Sequence, residues 1–114
     1  MRFDQTFVDT VAYRANSIVD LAFVKVATGE MLSNQAMVLE IQVRRAMRCV
    51  NAALHQPEAI IDAYAYLSSV YDQVYCTTDR GLFKQVESLH RYVGSCIKNQ
   101  IRIQSKEEGE SANG

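Results

Sequence analysis

Residues 34–56 read NQAMVLEIQVRRAMRCVNAALHQ, and their spacing decides the fold. Ala36, Leu39, Val43, Ala46, Val50 and Ala53 recur at steps of three and four. That spacing draws one apolar stripe down an α-helix. The rows beside it carry Glu40, Arg44, Arg45, Arg48, Asn51 and His55, so one helix holds a core seam and a basic edge together. Threes and fours alternating over about three heptads are the pattern of helices packed nearly parallel. The flanking chain should therefore supply helices that cover this one.

Upstream, Asp4 can cap a first helix over about residues 4–28. Its stripe is Phe7, Val8, Val11, Ala12, Ala15, Ile18, Val19, Ala22, Phe23 and Val26, and Gly29 suits the left-handed residue that ends it. Ser33 or Asn34 is expected to cap the second helix, over about 34–56, and Pro57 to end it. Pro57 can also open a third helix over about 57–76, with Ile60, Tyr64, Leu67, Tyr71 and Val74 as its seam. Thr77-Thr78-Asp79-Arg80-Gly81 makes the next reversal. A fourth helix over about 82–104 points Phe83, Val86, Leu89 or His90, Val93, Ile97 and Ile101 inward. Gly94 in its middle costs about 1 kcal/mol against alanine, which a close approach by another helix, in this chain or a second copy, would explain. Residues 105–114, SKEEGESANG, read as a disordered tail. An all-α, up-down-up-down antiparallel four-helix bundle in one domain is the economical solution.

Composition agrees. The chain has 114 residues, 48% of them apolar and 22% charged, with one proline and five glycines, so long helices are favoured over many short strands. Cys49, Cys76 and Cys96 are odd in number and widely spaced, which predicts small buried or half-buried side chains in a reducing cytoplasm. No apolar run is long enough for a membrane span, and no secretion signal opens the chain. His55 and His90 stand far apart, and Glu87-Ser-Leu-His90 occurs once without the partner that a carboxylate-bridged metal site needs. No phosphate loop, dinucleotide fingerprint or nucleophile elbow is present. Neither cofactor, metal nor catalytic activity is expected.

The net charge of −1 hides a pattern. Arg44, Arg45 and Arg48 make the second helix positive. Lys84, Arg91, Lys98 and Arg102, spaced 7, 7 and 4, share one face of the fourth. The first and third helices and the tail are acidic. The basic rows can contact phosphates, face acidic neighbours within the bundle, or meet the acidic face of a second copy in a ring. Off-seam Met37, Ile41, Leu54, Ile61 and Val70 leave apolar surface for self-association. Tyr66 and Tyr75, also off the seam, suit a subunit interface or base stacking.

At Gln42-Val43-Arg44-Arg45-Ala46-Met47-Arg48-Cys49-Val50 the chain resembles the four-helix proteins encoded within bacterial 23S rRNA intervening sequences. That group includes the accessory variability proteins of diversity-generating retroelements. Its second helix carries a Gln-Leu-Arg-Arg-Ala segment. Its closing helix is similar to Tyr92-Val93-Gly94-Ser95-Cys96-Ile97-Lys98. The resemblance covers about residues 5–104 and implies a homopentameric ring. For the retroelement branch it implies partnership with a reverse transcriptase and binding of RNA or DNA through basic surfaces, Arg44 and Arg45 standing at the paired arginines.

Overall fold

The computed structural model describes residues 1–76 and 79–113, the last four of these as backbone only. Thr77 and Thr78 of the expected reversal and Gly114 of the expected tail lie outside the described residues. The chain forms α1 (Gln5–Ala27), α2 (Ser33–Ala52), α3 (Ala59–Tyr75) and α4 (Arg80–Asn113), with no strand among the described residues.

Local chemistry sets most of these ends. Asp4 Oδ1 accepts from the Phe7 N–H at 2.9 Å and caps α1. At the other end, the Glu30 N–H donates to the Lys25 carbonyl at 2.8 Å and the Gly29 N–H to that of Val26 at 3.1 Å. Gly29 sits at φ 76°, so a full Schellman motif closes the helix. The cap of α2 is Leu32 rather than Ser33 or Asn34. Leucine has no side-chain acceptor, so only half of a capping box forms, the Leu32 N–H donating to Gln35 Oε1 at 3.3 Å.

α2 ends at Ala52, short of the expected Gln56. The chain tightens instead, Leu54 N–H donating to the Asn51 carbonyl and His55 N–H to that of Ala52. Pro57 then opens another tight turn ahead of α3, its carbonyl accepting from the Ile60 N–H at 3.1 Å. Asp79 caps α4 through the Leu82 N–H at 2.9 Å. The same carboxylate takes Lys25 Nζ at 2.8 Å, and Lys25 also reaches Glu30 at 3.2 Å. One lysine thus ties the end of α1 to the start of α4.

The stretch expected as a disordered tail continues α4 to Asn113. Every described side chain from Ile101 onward is exposed, so packing does not hold it. Adding residues to a helix already nucleated is cheap, and Gln, Lys and Glu are good helix formers. Gln104 Nε2 also donates to Glu108 Oε1, one turn on, at 3.3 Å.

Each helix packs backbone-close against its neighbours in chain order and α4 returns to α1, with no such close approach between diagonal helices among the described residues. The contacts run antiparallel: Gln73 Nε2 near the end of α3 donates to the Gln35 carbonyl at the start of α2, and the Arg2 N–H before α1 donates to Gln100 Oε1 late in α4. This is the up-down-up-down four-helix bundle, with α2 and α4 at opposite corners.

The α2 seam faces the axis as its spacing predicts, all six residues being at most 2% exposed. On α1, Phe7, Val8, Val11, Ala15, Ile18 and Ala22 are buried, whereas Phe23 is 38% exposed. α3 departs from expectation: Ala63 and Val70 join Ile60, Leu67 and Val74 on the axis, while Tyr64 and Tyr71 move to the flank and are half-buried. Their hydroxyls can reach water there. On α4 the seam starts one residue early, at Leu82, and stops at Ile97, with Ile101 exposed.

Two substitutions separate seam from surface in urea denaturation. Leu39→Ala should lower stability by about 2–5 kcal/mol, whereas Met37→Ser on the outer face should change it by less than about 0.5 kcal/mol. Asp79→Ala, which removes a cap, should cost about 1–2 kcal/mol.

Candidate nucleic-acid interface

Arg44, Arg45 and Arg48 are all exposed on α2, and Lys84, Arg91, Lys98 and Arg102 are all exposed on α4. The α4 row runs about 27 Å along its helix at 1.5 Å per residue. Arg44 reaches Glu40 at 3.5 Å and Arg91 reaches Glu87 at 3.6 Å. Such exposed pairs are worth a few tenths of a kcal/mol and leave the rows positive. Arg45, Arg48, Lys84, Lys98 and Arg102 make no ion pair among the described residues. Because α2 and α4 stand at opposite corners of the bundle, one copy carries two separate basic strips rather than one continuous patch.

Of the side chains expected at a subunit interface, Met37 is 54% and Ile41 47% exposed. With Val38 they make the first half of α2's outer face apolar, ahead of the arginines. Tyr66 packs half-buried against the core. Tyr75 is 65% exposed but touches Tyr71 and Phe83, both ring centroids at 6.0 Å. Val70, counted among the apolar residues left over for association, is buried within the chain.

Gly94 is explained inside the molecule. A Cβ there would stand 3.1 Å from Tyr64 Cε2, so the missing side chain leaves room for the Tyr64 ring. That ring stacks on His90 at 4.5 Å between centroids, and Tyr71 stacks on the imidazole at 5.2 Å. Ser68 Oγ lies 2.9 Å from His90 Nε2 and donates to the Tyr64 carbonyl, also at 2.9 Å. A hydroxyl has one proton to give, so His90 Nε2–H is the donor in its bond to Ser68. This is a structural joint between α3 and α4, not a base poised to activate a serine.

The remaining chemistry is sparse. Burial pushes the thiols of Cys49 and Cys96 up, away from the reactive thiolate. Cys76, expected to be at least half-buried, is exposed at the end of α3. Glu87 faces Arg91 while His90 faces Ser68, so the Glu87–His90 pair does not converge on a metal. No group of three potential metal ligands exists among the described residues, and no helix there is long and apolar enough to cross a membrane.

Beside the α4 row lies a feature that sequence reading missed. Tyr13, Arg14 and Ser17 of α1 and Lys84, Gln85 and Ser88 of α4 line a groove of about 410 Å³. Arg14 Cζ sits 4.8 Å from the centroid of the Tyr92 ring. In the sequence, nothing singles out Tyr13 or Arg14 as a site. Their proximity to Lys84 depends on how α1 and α4 register. No protein-family model, curated protein or solved structure matches the chain.

Burial lowers the pKa of His90 from its ordinary value of about 6.5, with Asp72 opposing weakly. The unfolded chain therefore takes up this proton first, and the stabilisation is complete above about pH 6.5 and is lost as pH falls through the lowered value. Between about pH 7 and about pH 5 the urea midpoint of the parent should fall more steeply than that of His90→Phe. Parallel slopes would show that the imidazole titrates as it does in the unfolded chain.

Proposed function

We propose that this protein is a non-enzymatic, self-associating four-helix bundle that binds RNA or DNA through its exposed basic rows. One observation carries the reading: four cationic side chains, Lys84, Arg91, Lys98 and Arg102, share the outer face of α4 over several turns, and only Arg91 has an acidic partner among the described residues. Cations aligned at roughly 6–11 Å intervals along a rigid rod, the Arg91 pair with Glu87 being exposed and weak, can follow a phosphate backbone without rearrangement. The net charge of −1 does not weaken this argument, because phosphate contacts depend on the local row.

Self-association gives the second row a use. Arg44, Arg45 and Arg48 point away from α4 on a single copy, and a ring of copies can place the α2 corner of one beside the α4 corner of the next. Association in the reading proposed here goes to a homopentamer, as the resemblance to intervening-sequence proteins suggests. A reverse transcriptase would be a further partner if the chain belongs to the retroelement branch, and the site of action would be the cytoplasm.

The exposed apolar start of α2's outer face, Met37, Val38 and Ile41, favours a second reading. In it the protein is an interaction module whose charges serve subunit packing alone. The two readings separate in a salt series. About four phosphate contacts on a single strand should weaken binding roughly 50-fold between about 50 mM and about 200 mM salt. No binding at the lower salt would leave the interaction module. Light scattering should give a mass that is a multiple of 12.9 kDa, five-fold for the ring, and the monomer mass would remove self-association.

A further inference from the structure

The groove between α1 and α4 differs from the rest of the basic surface in four respects. It is a shallow, open groove of ligand size, its volume of about 410 Å³ lying within the range of roughly 300–1,000 Å³ usual for small-molecule sites. It joins cations from two helices, Arg14 and Lys84, and neither makes an ion pair among the described residues. Its lining holds no carboxylate. Asp9, one turn before Tyr13, lines the adjoining recess and accepts from Gln5 Nε2 at 2.8 Å. Finally, Arg14 rests over Tyr92, so part of the entropy cost of fixing its guanidinium is already met.

Tyr13 completes the set. It is 76% exposed at the groove's edge, and no aromatic ring stacks on it among the described residues. The other flank of α4 is richer in rings, but they occupy one another: His90 lies between Tyr64 and Tyr71, and Tyr71 meets Phe83. A free aromatic face in a groove that two cations line suits a nucleotide, since every base offers a π-face and every phosphate an anion.

We infer that this groove seats one unpaired nucleotide of a single-stranded RNA or DNA, its phosphate between Arg14 and Lys84 and its base on Tyr13. From Lys84 the strand continues along Arg91, Lys98 and Arg102. Ser88 and the Gln85 amide line the same groove and supply neutral donors. A base still stacked within a duplex has no free face to lay on Tyr13, so single strands bind in preference to duplex. This inference rests on the nucleic-acid reading above and adds its site, its strand state and two residues, Tyr13 and Arg14.

Fluorescence anisotropy with labelled oligodeoxythymidylate, oligouridylate and a duplex of matching length tests it, circular dichroism melts confirming that each variant folds. Tyr13→Ala should weaken single-strand binding about 5-fold or more, and Tyr13→Phe should stay within about 2-fold of the parent. Arg14→Gln and Lys84→Gln should each lessen the salt slope by about 0.7. If these variants bind like the parent while Arg44→Gln with Arg48→Gln loses affinity, the groove is wrong and the broader reading stands. Tighter binding of duplex than of either single strand also overturns the groove. No binding of any probe by the parent at about 50 mM salt overturns both.

Discussion

The structure depends on burying one narrow seam of α2. Ala36, Leu39, Val43, Ala46, Val50 and Ala53 face the bundle axis at almost no exposure, and α2 is the helix that joins α1 to α3. Small side chains at three of the six positions keep the seam shallow, so that larger residues from the neighbours, Ile18 on α1 and Ile60 and Leu67 on α3 among them, can reach the axis. Burying each valine or leucine is worth about 1.5–3 kcal/mol, far more than any of the exposed ion pairs. The charged surface is thus free to vary in its use, because the fold does not rest on it.

Two fastenings at the ends add direction to this packing. The Schellman turn at Gly29 reverses the chain between α1 and α2. Lys25, on the last turn of α1, takes the carboxylate that also caps α4, so α1 and α4 meet at the same end of the bundle where α1 and α2 reverse. On the α3–α4 side the register is marked by Tyr64 against Gly94 and Ser68 against His90. These contacts place the α4 row on the outer corner, with the aromatic ladder on one flank and the Tyr13–Arg14 groove on the other.

The parts of the fold legible in the sequence were those set by repeat spacing and by local chemistry. The α2 seam, the Asp4 cap and the left-handed Gly29 all follow from neighbours a few residues away. Where a residue's fate depended on a second helix, the pattern ran out. Tyr64 and Tyr71 keep perfect seam spacing yet lie on a flank, because Ala63 and Val70 fill the axis beside them. Gly94 shows as a weak point in a helix, but the ring that explains it is thirty residues distant in the chain. The basic rows were readable as rows, since each belongs to one helix. That they stand at opposite corners, and that Arg14 joins Lys84, required the bundle itself. The helical continuation past Ser105 has a different cause: it is propagation of a formed helix, which carries no apolar signature to read.

The central claim is that α2 is the stabilising spine of the bundle. Native-state hydrogen exchange followed residue by residue tests it most directly, because amides in the most stable unit exchange only when the whole domain opens. The account predicts that the amides from Val43 to Val50 are the last to exchange, with the same dependence on denaturant as global unfolding. Exchange of those amides through local opening, while α4 from Val86 to Val93 stays protected, would contradict it.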